Sequence, residues 1–183
     1  MAKPGPLRRI ALGILLGAWA LFALGQEPPG EYDVKAAFLF NFAKFLEWPA
    51  EAFASRQAPL TLCIAGRDPF GAALAAYDRR MVQSRELRVR RSVSAEDLSG
   101  CQMLFVADSE ERQVRRILRA ALERPIVTVS DIDGFADAGG TIGLVNAEKR
   151  VQFEVNLASA QQARVKVSSQ LLRIARNTRG RFQ

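Results

Sequence analysis

An α/β fold, with a mainly parallel mixed sheet covered by helices on both faces and an antiparallel hairpin near the C-terminus, is predicted by three features of this sequence. Short continuous apolar runs recur at residues 60–65, 101–107 and 126–129, the pattern of strands buried on both faces. Segments with helical spacing of apolar side chains alternate with them. Finally, residues 141–146 and 150–155 flank a polar turn at Glu148-Lys149, as an antiparallel hairpin requires.

The elements follow in chain order. Lys3, Arg8 and Arg9 precede an uncharged run over residues 10–24 that closes on Ala23-Leu24-Gly25, the layout of a signal peptide. The run is short of the roughly 20 apolar residues that a spanning helix needs. We therefore expect a signal peptide at 1–25, cleavage after Gly25, a single domain at 26–183 and a periplasmic destination. Residues 33–48 carry Val34, Ala37, Phe38, Phe42, Phe45 and Leu46 at spacings of three and four, which predicts an amphipathic helix ended by Pro49. A strand at 60–65 leads into the turn from Gly66 to Gly71 and a brief helix reaching about Tyr77. Residues 85–93 alternate imperfectly, as an exposed or edge strand would. After the buried run at 101–107, Ser109 is expected to cap a helix with Glu110 and Glu111 in its first turn and Arg115, Arg116 and Arg119 later, which matches the helix dipole. A strand at 126–129 is followed by a loop over 131–140 with a helical piece around Phe135. Beyond the hairpin, Asn156 is placed to cap a terminal helical region carrying Leu171, Leu172 and Ile174, and Val165-Lys166-Val167 is expected to divide it.

Composition excludes several kinds of chemistry. The chain has 183 residues, 26 Lys+Arg, 19 Asp+Glu and no histidine. Without imidazole there is no histidine-based triad and no histidine metal ligand. Two cysteines do not make a four-ligand zinc site, so we assign no catalytic residues, no metal and no cofactor. Removing the targeting segment takes away Lys3, Arg8 and Arg9 and lowers the formal charge from +7 to +4. Nucleic-acid binding thereby loses its compositional support.

Export gives Cys63 and Cys101 a meaning, because thiols in an oxidising compartment tend to pair. One disulfide is expected, with two buried free thiols as the alternative. Gly66 and Gly71 have the spacing of phosphate-loop glycines, but Ala72 and Ala73 stand where Lys and Ser/Thr are required. Asp131 and Asp133 before Gly134 begin like a calcium loop that lacks its closing glutamate.

Four blocks now carry a resemblance. The helix from Val34-Lys35-Ala36-Ala37 to Glu47-Trp48-Pro49, the strand and turn from Leu62-Cys63 to Phe70-Gly71, the segment Pro125-Ile126-Val127-Thr128-Val129-Ser130-Asp131 with Phe135 and Gly139-Gly140, and the hairpin strand Arg150-Val151-Gln152-Phe153-Glu154-Val155-Asn156 resemble the YfiR-like periplasmic proteins in order, spacing and residue type. With Ser168 to Ala175 the likeness spans about residues 32–177. It implies a periplasmic, non-catalytic regulator that binds the periplasmic sensor region of an inner-membrane protein. Most often that partner would be a diguanylate cyclase whose cyclic-di-GMP synthesis is held down, with consequences for biofilm and motility. It also implies a homodimer and a redox-sensitive disulfide, although a second cysteine pair is missing from this chain.

A regulator without chemistry acts by preferring one conformation of its target, and a tenfold bias needs only about 1.4 kcal/mol of differential binding. Val151, Phe153 and Val155 should face the core. Glu154 and Asn156 on the other side, and Asn41, Phe45 and Trp48 on the first helix, are the candidate partner contacts. The alternative is a small-ligand module feeding a sensor kinase or transporter, its pocket at Gly66, Asp68, Gly71, Ser130 and Asp131, where strand C-termini of open α/β sheets bind ligands. The chain is expected to be soluble but membrane-adjacent.

Overall fold

The computed structural model describes residues 29–180, apart from Glu123 and Lys149. The signal-peptide expectation at 1–25 lies outside the described residues. Helix α1 (Glu31–Phe45) comes first, followed by the two-residue strand β1 (Leu46–Glu47). Then come β2 (Leu60–Ala65), α2 (Ala72–Ala75), β3 (Met81–Val82), β4 (Arg85–Val93), β5 (Met103–Val106), α3 (Val114–Ala121) and β6 (Val127–Ser130). The hairpin is β7 (Ile142–Ala147) and β8 (Arg150–Asn156), and α4 (Leu157–Gln162), β9 (Lys166–Val167), α5 (Ser169–Ile174) and β10 (Asn177–Arg179) complete the chain.

One sheet of eight strands runs in the order β10-β8-β7-β6-β5-β2-β4-β3. Its centre, from β4 through β7, is parallel, while β8 runs antiparallel to β7 and β3 to β4. The predicted mixed α/β class, covered sheet and hairpin are therefore present. In the central strands, successive side chains enter two different cores, which is why their sequences are continuously apolar. Leu62 and Ile64 of β2 and Met103 and Phe105 of β5 pack with α1, whereas Cys63, Ala65, Leu104 and Val106 pack with Val114, Ile117 and Ala121 of α3. On β6 the second face holds Thr128 and Ser130, both buried. Thr128 is satisfied by Thr141 and the Ser130 hydroxyl donates to the Val106 carbonyl at 2.7 Å.

Cys63 and Cys101 form the expected disulfide, tying β2 to the segment that leads into β5, with both residues buried. Asn156 caps α4 through a bond from the Ser159 N–H at 3.2 Å, and the break at Val165-Lys166-Val167 is real.

Several expectations need correction. Helix α1 starts at Glu31 and stops at Phe45 rather than Trp48, because Leu46 and Glu47 turn extended and pair with Val167 and Lys166. Its buried face is also rotated: Ala36, Leu39, Phe40, Phe42 and Ala43 are covered, while Val34, Ala37, Phe38 and Phe45 remain half-buried. The helix is apolar on nearly every side, so spacing alone did not define which side faces the sheet. Ser109 caps nothing. Residues Asp108–Gln113 form a 3-10 segment, and the Ser109 hydroxyl instead accepts from the Arg67 N–H at 3.0 Å. Strand β4 is not the edge of the sheet at its start, where the short β3 covers Arg85 and Glu86.

Closing a loop across a 38-residue separation restricts the unfolded chain, an effect of roughly 3–4 kcal/mol in the chain-entropy model. The Cys63→Ala/Cys101→Ala variant is accordingly expected to lose about 3 kcal/mol in urea unfolding. An unchanged urea midpoint would show that the bridge contributes nothing to stability.

Candidate functional site

The C-terminal rim of the parallel strands is the natural place for a site. From β2 the chain crosses to β4 on one side, and from β5 it crosses to β6 on the other, so the direction of winding changes between β2 and β5. The turn after β2 and the segment after β5 meet there. Gly66 has φ +86°, and a Cβ on it would lie 2.5 Å from the Ser109 hydroxyl and 2.7 Å from Cγ of Glu110. The crevice is therefore closed by the chain's own side chains, and only glycine permits that approach.

The rim residues singled out from sequence do share one end of the sheet, each engaged within the fold. Asp68 accepts from the Phe70 N–H at 2.8 Å and pairs with Arg91 at 2.7 Å. Gly71 precedes α2 with φ +51°. Ser130 bonds Val106 and accepts from the Ile132 N–H at 3.1 Å. Beside Gly66, a cleft of about 390 Å³ is lined by Ser92, Ser94, Glu96, Glu110 and Arg116, among others.

Asp131 leads to residues that sequence reasoning missed. The Lys35 ammonium donates to Asp131 at 2.6 Å and pairs with Glu31 at 2.5 Å, and the Tyr32 hydroxyl donates to Asp131 at 3.0 Å. Lys35 is 4% exposed. The other Asp131 oxygen is buried with no hydrogen-bond partner among the described residues. Burial works against the Lys35 charge, but the hydrogen bonds to Asp131 and Glu31 outweigh it and raise its pKa above 10.5. The Lys35 bond pulls the Glu31 carboxyl below its ordinary value, helped by the Asn146 amide at 2.9 Å. Burial, with the Asp131 charge next, raises the Tyr32 phenol. The signal was available: a lysine on the stretch Val34-Lys35-Ala36-Ala37 has no place in an apolar face unless a buried carboxylate receives it.

The five candidate partner contacts divide between opposite faces of the sheet. Phe153 and Val155 point to the α1 core, so Glu154 and Asn156 point the other way. Glu154 is bridged by Arg179 of β10 at 3.3 Å, and Arg179 also pairs with Asp137. Besides capping α4, Asn156 donates to the Ala136 carbonyl at 2.9 Å. On the α1 side, Asn41 is exposed, Phe45 is half-buried, and the Trp48 indole donates to the Gln102 carbonyl at 3.0 Å.

A family model described as YfiR/HmsC-like matches residues 32–176. The chain belongs to the YfiR/HmsC-like family. The match begins in the first turn of α1 and ends one residue before β10, so it takes in both cores, the disulfide, the rim and the hairpin. Among solved structures, the chain is similar to a conserved domain protein from Vibrio cholerae O1 biovar eltor, with a TM-score of 0.54 at 8% identity over 81% of this chain. The aligned part is 60% of that protein's chain, and at this identity the likeness concerns the fold alone. Among the described residues, no helix is long and apolar enough to cross a membrane.

Removing one member of a buried pair strands the other charge and costs about 3 kcal/mol. Lys35→Ala is expected to lose that much in urea unfolding, whereas Lys35→Met combined with Asp131→Leu loses less than the single change. Equal losses in both variants would mean that packing, and not the ion pair, holds α1 at this point. With pH, the Lys35 contribution is complete below 10.5 and fades as the pH rises past its elevated value. The smaller Glu31 contribution is present above 4.5 and is lost on acidification.

Proposed function

We propose that the protein is a non-catalytic regulator of the periplasm that binds the periplasmic sensor region of an inner-membrane signalling protein and represses a diguanylate cyclase. The observation that carries this reading is the YfiR/HmsC-like match over residues 32–176, nearly the whole body of the fold. The sequence inventory supports it: without histidine and with both cysteines in a bridge, the usual nucleophile–base pairs are missing. The basic and apolar targeting pattern at 1–25 supports the location.

Binding needs a surface, and two are offered. On α1, Asn41 and Phe45 fall on one stripe with Val34 and Phe38, since spacings of four, three and four keep the same side of a helix. Trp48 lies beyond the helix end, after the extended Leu46–Glu47, with its indole bonded to the Gln102 carbonyl. Glu154 and Asn156 form the second candidate on the opposite face of the sheet, where binding would compete with Arg179. A homodimer through Asn41 and Phe45, or through Glu154 and Asn156, belongs to the same proposal.

A second reading, a small-ligand module, draws on the cleft beside Gly66 at the rim. It would show as a rise in melting temperature of a few degrees when a metabolite panel is added.

Deleting the gene is expected to raise cellular cyclic-di-GMP several-fold, measured by mass spectrometry of extracts. The full chain should restore the low level, and a chain lacking residues 1–25 should not. No change on deletion would overturn the repressor reading.

A further inference from the structure

Helix α1 carries more apolar surface than the sheet covers. Val34 and Phe38 are left half-buried, with the Phe38 ring 5.6 Å from Phe153 across the side of the sheet. Phe38 lines two adjoining hollows, of about 640 Å³ and 320 Å³, that also share Val151, and Val34 lines the larger. The first reaches Pro29 and Glu31, and the second reaches Ile174 and Arg176, so together they form one groove along β8. Ile174 is 66% exposed at its far end.

The same groove runs beside a stretch of β8 main chain that has no strand partner on that side among the described residues. Strand β10 meets β8 only at Glu154, Val155 and Asn156. The Phe153 carbonyl accepts from the Arg176 N–H at 2.9 Å, so the main-chain groups of Phe153 point away from β7. Two residues earlier, Val151 repeats that orientation, and β10 does not reach it. An extended segment laid there would continue the line of β10 and place alternate side chains over Phe38 and Ile174.

Charge selects the occupant. Arg150 and Arg176 are exposed at the groove, and neither has an ion pair among the described residues. The acidic residue of the lining, Glu31, is already bonded to Lys35 and Asn146. Among the described residues the groove therefore presents two unpaired arginines around an apolar floor. A two-fold pairing of this edge with a second copy would set Arg150 of each copy against Arg176 of the other, which disfavours self-association there.

We propose that the β8 edge at Val151 and the groove of Val34, Phe38 and Ile174 bind an extended polypeptide segment that alternates apolar residues with acidic ones, by strand addition. This deepens the regulator reading and rests on it, naming the chemistry of the partner segment.

The test uses a labelled eight-residue peptide that alternates valine and glutamate, its counterpart with lysine in place of glutamate, and phosphatidylglycerol vesicles. The acidic peptide is expected to bind and to slow hydrogen exchange of the Val151 amide at least tenfold. Arg150→Glu/Arg176→Glu is expected to weaken the acidic peptide at least tenfold and to bind the lysine peptide instead. Ile174→Asp, at an exposed position, is expected to weaken the acidic peptide as well and serves if the double variant does not fold. Equal binding of both peptides, protection elsewhere than β8, self-association through this edge, or binding of vesicles alone would overturn the proposal. Cyclic-di-GMP in the deletion strain separates the two claims. A rise on deletion with full repression by Arg150→Glu/Arg176→Glu sinks the groove and spares the regulator. The absence of a rise sinks the regulator, and the peptide data then judge the groove alone.

Discussion

Burial of helix α1 is the constraint on which the rest of the molecule depends. Within fifteen residues it presents four phenylalanines and a leucine, and in water such a segment is stable only against a broad apolar surface. The face of the sheet formed by Leu62, Ile64, Met103, Phe105, Val127, Val129 and Phe153 supplies that surface. Because β2, β5 and β6 must also cover α3 with their other side chains, their sequences have no room for polar alternation, and the buried hydroxyls of Thr128 and Ser130 are tied to Thr141 and Val106. The disulfide belongs to the α3 side of this sandwich, where it joins β2 to the entry of β5 beneath Leu98 and Ile117.

Apolar packing alone would let such a helix rotate or slide, since nearly every side of it can be buried. The Lys35 ion pair with Asp131, supported by Tyr32, removes that freedom. A buried charge has one acceptable partner, so the first turns of α1 are pinned to the loop after β6, and the Glu31 bond to Asn146 adds a second tie to β7. This registration leaves Val34 and Phe38 over the outer side of β8. The groove is thus a consequence of how the helix is held, and its apolar floor and its position beside an incomplete strand edge have one origin.

Much of the architecture was legible in the chain. The runs at residues 60–65 and 126–129 read as strands covered on both sides because each is short, continuous and mainly apolar. The hairpin and the cap at Asn156 were legible from alternation and from a short-range hydrogen bond. What stayed hidden depends on distant partners. The stop of α1 at Phe45 is imposed by Lys166 and Val167, and the 3-10 start after β5 is imposed by the Gly66 turn, to which Ser109 turns its hydroxyl. Of the candidate site residues, the rim set lies at one end of the sheet, with Gly66 alone of the five lining the cleft there, whereas Glu154 and Asn156 are separated from Asn41, Phe45 and Trp48 by the sheet itself. Lys35 escaped notice because its partner lies 96 residues away.

By itself the sequence determined what depends on composition and local pattern: two buried faces, an α/β alternation, a bridge between its two cysteines, a poor catalytic inventory and the family. The tertiary structure alone decided which side of α1 is covered, which carboxylate receives Lys35, and how far β10 extends along β8. Those outcomes are set by contacts between residues far apart in the chain. Several sides of α1 are almost equally apolar, so local preference cannot rank them. Only the geometry of the assembled sheet, and the need to pair a buried charge, can do so.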